Sequence, residues 1–217
     1  MRALTVVPFA TLWRCSLSAE PSEERLAWLS VGEQARAASF VFSRDRRRFL
    51  AARCALREFL SAHTGVDPGS LEIVADAFAK PCLANIRDCH FNLSRREDSA
   101  LVGISDTGEI GVDIEMLHVI DDVVALARDH FSAPEFADFL TLASDERDLA
   151  FLRVWTRKEA CLKAVGTGLS IDPASLDVGL GAGTVQLSIV LPNGTARVDV
   201  RSIDSGPGSV AAVARVL

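Results

Sequence analysis

Five residues in the second half of the chain have the types and spacing for phosphate or metal chemistry. Asp113 and Glu115 stand two apart in the run GVDIE (111–115). Glu159 and Lys163 stand four apart in WTRKEACLK (155–163), with Lys158 beside them. A β-branched run reads as a strand, where side chains alternate, so Asp113 and Glu115 share one face and Val112 and Ile114 the other. That pattern admits two readings: a face turned to water, or two carboxylates converging on a cation. The second segment reads as a helix, because Phe151, Trp155 and Leu162 mark an apolar stripe and no Gly or Pro intervenes before Gly166. Trp155, Glu159 and Lys163, at i, i+4 and i+8, then share one side. A solvated Glu159–Lys163 pair would contribute only about 0.3–0.5 kcal/mol. A Trp on the same stripe argues instead for a partly covered face, where carboxylates and ammoniums must be paired or coordinate something. Two strand acids, one helix acid and two lysines suit a Mg²⁺–phosphate site, since Mg²⁺ takes carboxylate oxygens, keeps waters and completes its shell with substrate phosphates.

The elements that must position these residues fit an ordinary globular chain. Its 217 residues are 49% hydrophobic and 24% charged, enough for one large or two modest cores. No apolar stretch approaches the roughly 18 residues of a membrane helix, and the first residues read as a strand over about 3–8 rather than a signal peptide. A net charge of −6 argues against a general nucleic-acid binder. Five cysteines without a CxxC pair point to reduced thiols in a cytoplasmic protein. Of 23 basic residues only Lys80, Lys158 and Lys163 are lysine. A chain so rich in Arg keeps a Lys where a compact ammonium suits a site better than a planar fork.

The segment VDPGSLEI (66–73) returns as IDPASLDV (171–178), 105 residues on, and each copy follows a helix-like stretch, 46–60 and 151–165. At the same offset Arg53 faces Lys158. The common order of strand, helix, Asp-Pro turn and strands reads as an internal duplication broken near residues 106–109. The expected fold is α+β: two similar halves, 1–106 and 107–217, forming a pseudo-twofold dimer within one chain, with the active site at their interface. Strands are expected over 71–78, 91–94 and 100–105, then 185–191, 196–202 and 209–217. FSAPEF (131–136) should open a helix, with Ser132 as N-cap and Glu135 completing a capping box. The four histidines show no metal-ligand spacing and read as surface or packing residues.

GVDIE, FSAPEF and WTRKEACLK followed by GTGLSID, with SRDRRRFLAARCALR, AKPCL and FNLS (91–94) upstream, resemble the signature of 4′-phosphopantetheinyl transferases, in their Sfp-type, pseudodimeric form. The likeness covers residues 36–172. It implies an enzyme that moves the phosphopantetheine arm of coenzyme A onto a serine of an acyl or peptidyl carrier protein, with Mg²⁺, releasing 3′,5′-ADP; the internal duplication, with both halves of the cleft in one chain, suggests a monomer. By motif position it implies Asp113, Glu115 and Glu159 as Mg²⁺ ligands, with Glu159 also a candidate base, directly or through a bound water. Lys163 and Lys158 would contact phosphate, with Trp155 packed beneath. Arg48 falls where the family grips the adenosine end and its 3′-phosphate, with Arg36 and Arg44 as further candidates. Lys80 matches the Lys-Pro turn near the nucleotide, and Ser94 lies beside the phosphates. In relatives the stretch from FSAPEF to about 150 helps meet the carrier, and Arg128, Phe136 and Arg147 are available there. The family commonly has His after that serine; here it is Arg95, a fixed cation that binds phosphate but does not titrate near neutrality. Two other readings use the same residues: a Mg²⁺-dependent nucleotide or pyrophosphate hydrolase, and a coenzyme A-binding homologue without catalysis.

Overall fold

A computed structural model describes residues 4–76 and 78–217. Residues 1–3 and 77, which fall at the start of the expected first strand and within the expected 71–78 strand, lie outside the described residues. The first half supplies strands β1 (Thr5–Val7) and β2 (Ala10–Ser16), and helices α1 (Glu23–Leu26), α2 (Val31–Ala38) and α3 (Ser43–Thr64). The hairpin β3 (Ile73–Ala75) and β4 (Pro81–Leu83) follows, then β5 (His90–Arg96) and β6 (Ser99–Ser105). The second half supplies β7 (Ile110–Met116), α4 (Val123–His130), α5 (Ala133–Leu140), α6 (Arg147–Val165), β8 (Val185–Leu191), β9 (Gly194–Ile203) and β10 (Ser209–Val216). The chain is α+β, as expected.

Two antiparallel four-stranded sheets carry the halves, in the orders β1-β2-β6-β5 and β7-β10-β9-β8. In each, the last strand of the half lies between its first long strand and its penultimate one. The stretch read as one strand over 3–8 is instead a short arm, β1, hairpinned onto β2. It is β2 that holds in the first sheet the place β7 holds in the second.

The helices repeat the parallel. Long helices α3 and α6 end on Gly65 (φ 74°) and Gly166 (φ 77°), left-handed positions that a side chain would strain. Helices α2 and α5 each open on a capping box, Ser30 with Glu33 and Ser132 with Glu135. An Asp-Pro turn follows each long helix, closed by Asp67 accepting from the Gly69 amide and Asp172 from the Ala174 amide, both at 2.9 Å. The glycine caps lie 101 residues apart, whereas the Asp-Pro turns lie 105 apart, because the second half has a longer link holding a 3₁₀ turn over Gly168–Ser170. The 105-residue offset therefore fails on the helices: Arg57, not Arg53, holds the place of Lys158.

Strand β7 is the hinge of the architecture. Val112 and Ile114 are buried with Leu12, Leu101, Ala211 and Val213 in a core shared by both halves. Helix α6 lies across the opposite face. A Cβ on Gly111 would fall inside contact distance of the Ala160 carbonyl and the Ala164 amide, so only glycine lets the helix backbone come this close. No helix of the described residues is long and apolar enough to cross a membrane.

Candidate active site

The edges of the two sheets, β5 and β7, meet without backbone pairing, and side chains of β5 bridge the gap. The Val112 amide donates to Asn92 Oδ1 at 3.0 Å and the Ile114 amide to Ser94 Oγ at 3.4 Å. Arg96 Nε lies 2.9 Å from Glu115 Oε2. Asn92, Ser94 and Arg96 alternate down one face of β5 as strand geometry requires. Neither Asn92 nor Arg96 was singled out from sequence, although their period of two with Ser94 carried the signal.

Onto this seam α6 delivers Glu159 and Lys163. The Lys163 ammonium donates to Asp113 Oδ1 at 2.5 Å, lies 3.4 Å from Ser94 Oγ and stands 3.7 Å from Glu159 Oε2. Ser94 Oγ also donates to Asp113 Oδ1 at 2.7 Å. Asp113, Glu115, Glu159, Lys163 and Ser94 thus share one partly covered locus. Burial pushes the Glu115 carboxyl above its usual range, with Arg96 pulling it back and Asp113 adding to the rise. Burial likewise raises Glu159, opposed by Lys163 and reinforced by Asp113.

Among the described residues no three His, Cys, Asp or Glu side chains already form a metal cage. The donor set nevertheless suits a hard cation. Asp113 Oδ2 is buried and unpaired, and Glu115 Oε2, in ion-pair contact with Arg96, makes no hydrogen bond. Few protein oxygens, with water and phosphate completing the shell, is the pattern for Mg²⁺ rather than Ca²⁺ or Zn²⁺.

Two sequence assignments need correction. Lys158 cannot contact phosphate at this locus. Its side chain is 0% exposed, and its ammonium bonds Glu135 Oε2 at 2.7 Å and the carbonyls of Pro173 and Leu176 at 2.8 and 2.5 Å. Burial pushes this ammonium below its ordinary range, and Glu135 opposes the shift. Lys80 does not extend its ammonium toward a nucleotide. It bonds Glu109 Oε2 at 2.5 Å and the carbonyls of Ile110 and Ala164 at 3.0 Å, tying the β4 hairpin to β7 and to the last turn of α6. Lys80 and the adjoining Pro81 line a cavity of about 150 Å³ together with Arg87 and His90.

The arginine candidates separate. Arg36 lies over Phe40, Phe40 packs on Phe49, and Arg95 lies over Phe49. Burial pulls Arg95 below its usual range, and the positive fields of Arg53 and Arg36 add to this, so the three form a cationic cluster. Arg48 instead bonds Asp98 at 2.9 Å, and the largely exposed Arg44 faces Asp45. Trp155 stacks on Phe151 and meets His130 edge-on, fixing α6 against α4. Near the expected carrier face, Arg128 lies over Phe136, and Arg147 bonds the Leu140 and Leu142 carbonyls at the end of α5.

Comparison with known proteins was made on this frame. The family model described as "4'-phosphopantetheinyl transferase superfamily" matches residues 109–212, and "4'-phosphopantetheinyl transferase, N-terminal" matches 13–106. The chain is 37% identical over 164 residues to the 4'-phosphopantetheinyl transferase HetI of Nostoc sp., covering 73% of this chain and 69% of that protein. It is 28% identical over 197 residues to the 4'-phosphopantetheinyl transferase Sfp of Bacillus subtilis, covering 91% and 86%. To the 4'-phosphopantetheinyl transferase AcpT of Escherichia coli it is 36% identical over 121 residues, covering 56% and 58%.

Proposed function

The chain belongs to the 4′-phosphopantetheinyl transferase superfamily, and we propose how its seam carries out the family's transfer of a phosphopantetheine group from coenzyme A to a carrier protein. The acceptor is a serine hydroxyl of an apo acyl or peptidyl carrier protein. Its oxygen attacks the phosphorus that carries the pantetheine arm, the bond to the bridging oxygen breaks, and 3′,5′-ADP leaves. The observation that carries this reading is the meeting of Asp113, Glu115, Glu159, Lys163 and Ser94 where the two sheet edges join.

Each residue then has a task that its surroundings support. Asp113, through its unpaired Oδ2, together with Glu115 and Glu159 of the same locus, would hold Mg²⁺. The bound ion supplies charge neutralisation on the diphosphate and its leaving group. Lys163, whose side chain is 28% exposed, is the lysine whose ammonium a phosphate can approach. Glu159, carried by α6 beside Lys163 and Asp113, is placed to take the serine proton, directly or through a bound water. Ser94 orients Asp113 by donating to it. Arg95 and Arg36 receive the phosphates of the nucleotide end, with Arg48 and Arg44 as further candidates.

We further infer that the halves are duplicates related by a pseudo-twofold axis, with a boundary near 106–107. The matching sheet orders, capping boxes and glycine caps support this, and so do the separate family matches to 13–106 and 109–212. Both sides of the cleft then lie in one chain, so the working unit is a monomer acting in the cytoplasm. Intact-mass spectrometry of an apo carrier protein incubated with coenzyme A, Mg²⁺ and this protein tests the reading. The expected result is a gain of one phosphopantetheine per carrier that chelation of the metal prevents. No gain across a panel of peptidyl and acyl carrier domains, or consumption of coenzyme A without any carrier, would reject it.

A further inference from the structure

Beside the site lies a buried ion pair that the transfer chemistry does not use. Lys158 precedes Glu159 on α6, and its ammonium has three acceptors: Glu135 Oε2, the Pro173 carbonyl and the Leu176 carbonyl. An ammonium has three donors, so this one is saturated. Glu135 is equally committed. One oxygen accepts from the Ser132 amide in the capping box of α5, and the other accepts from the Val178 and Gly179 amides, at 2.7 and 3.2 Å. Four segments therefore close on one point: the start of α5, the middle of α6, the Asp-Pro turn and the chain leaving it.

The first half contains the same device. Glu33 completes the capping box of α2 and binds buried Arg57 at 2.7 Å. Arg57 donates to the carbonyls of Pro68 and Leu71, at 2.7 and 3.0 Å, the positions matching Pro173 and Leu176. The other oxygen of Glu33 binds Arg53, a member of the cationic cluster with Arg36 and Arg95. Each clamp thus stands one step behind charged groups: Glu159 and Lys163 on α6, and Arg53 on α3.

Resting on the transfer reading above, we propose that Lys158 and Glu135 are positioning residues: they clamp α6 so that Glu159 and Lys163 meet Asp113, and they make no contact with coenzyme A. Breaking the clamp releases the helix that carries both groups, and an error of about 1 Å in such groups can cost about 100-fold in rate. Ligand affinity at the arginine cluster, which the first-half clamp supports, stays intact.

Four variants test this: Lys158→Met, Glu135→Gln, Lys158→Arg, and the double Glu135→Leu/Lys158→Met, which leaves no unpaired charge if a single variant fails to fold. Readouts are kcat, KM for coenzyme A, calorimetric coenzyme A binding without carrier protein, and hydrogen exchange along α6. Lys158→Met and Glu135→Gln should each lower kcat about 100-fold, leave coenzyme A affinity within about twofold and speed exchange in α6. Lys158→Arg, copying the first half, should recover to within about tenfold of wild type. The double variant should be no worse than either single one, as coupled partners require. A tenfold or greater loss of coenzyme A affinity in Lys158→Met that Glu135→Gln does not share would make Lys158 a ligand contact and overturn the proposal, as would wild-type kcat throughout. A wild-type protein that modifies no carrier rejects the transfer reading instead. The clamp then stands on α6 exchange, which must quicken in both single variants.

Discussion

Asp113 is held by its neighbours as firmly as it would hold a cation. Surplus negative charge in a metal site suggests from sequence that neutralising Asp113 spares stability. The structure gives Asp113 two donors, the Lys163 ammonium that compensates its charge and the neutral Ser94 hydroxyl, so the expectation moves to Glu115. Asp113→Ala should abolish transfer and lower stability by about 1.5–3 kcal/mol, the scale for a hydrogen bond to a charged group; an unchanged melting temperature would count against the Lys163 contact. Glu115 behaves oppositely. Burial raises its carboxyl above the unfolded value, so its stabilising contribution exists below the ordinary carboxylate range and disappears as pH rises through the folded value. Glu115→Gln should therefore hold or raise the melting temperature at neutral pH without Mg²⁺ while transfer is lost. A drop of several degrees in calorimetry would contradict that assignment. At the same scale the three lysines of an Arg-rich chain all serve one helix: Lys158 and Lys163 lie on α6, Lys80 bonds its last turn, and each ammonium meets three oxygens.

At the scale of elements, everything depends on α6 lying directly on β7. Gly111 permits that approach and Lys80 pins the helix end, where an ammonium on the Ala164 carbonyl also suits the negative pole of the helix. Gly111→Ala should cost about 3 kcal/mol or prevent folding, because the added carbon meets backbone on α6 rather than a side chain that can swing away. A soluble, fully active Gly111→Ala protein would refute the close crossing. The contents of the site were legible in sequence where local periodicity sets direction. A period of two put Asp113 and Glu115 on one face, and a spacing of four put Glu159 with Lys163. The partners of Lys158 and Lys80 were not legible, because most are carbonyls aimed by turns and helix ends far along the chain. Nor was the alignment of Arg36 with Arg95, which runs through Phe40 in the link after α2 and Phe49 on α3. The repeat was visible in the Asp-Pro turns, but its register on the helices was hidden by the longer link after Gly166.

For the molecule as a whole, the seam between sheets is both core and the platform of the proposed site. Val112, Ile114, Ala211 and Val213 of the second half are buried against Val7, Leu12 and Leu101 of the first, so neither half alone covers its apolar face. The polar bridges of Asn92 and Ser94 add direction without backbone pairing, and they fix how β7 presents Asp113. It follows that residues 1–106 and 107–217, made as separate chains, should each associate nonspecifically through that face. Made together they should form a one-to-one complex that recovers transfer. Losing the covalent link turns an intramolecular contact into an intermolecular one, so activity should fall on dilution, whereas the intact chain keeps its specific rate. Sedimentation of the separate and mixed halves, with transfer measured over a dilution series, checks this. If residues 107–217 alone sediment as a monodisperse folded species and unfold cooperatively, the apolar surface on β7 and β10 does not require the first half, and the shared core is not what positions the acids.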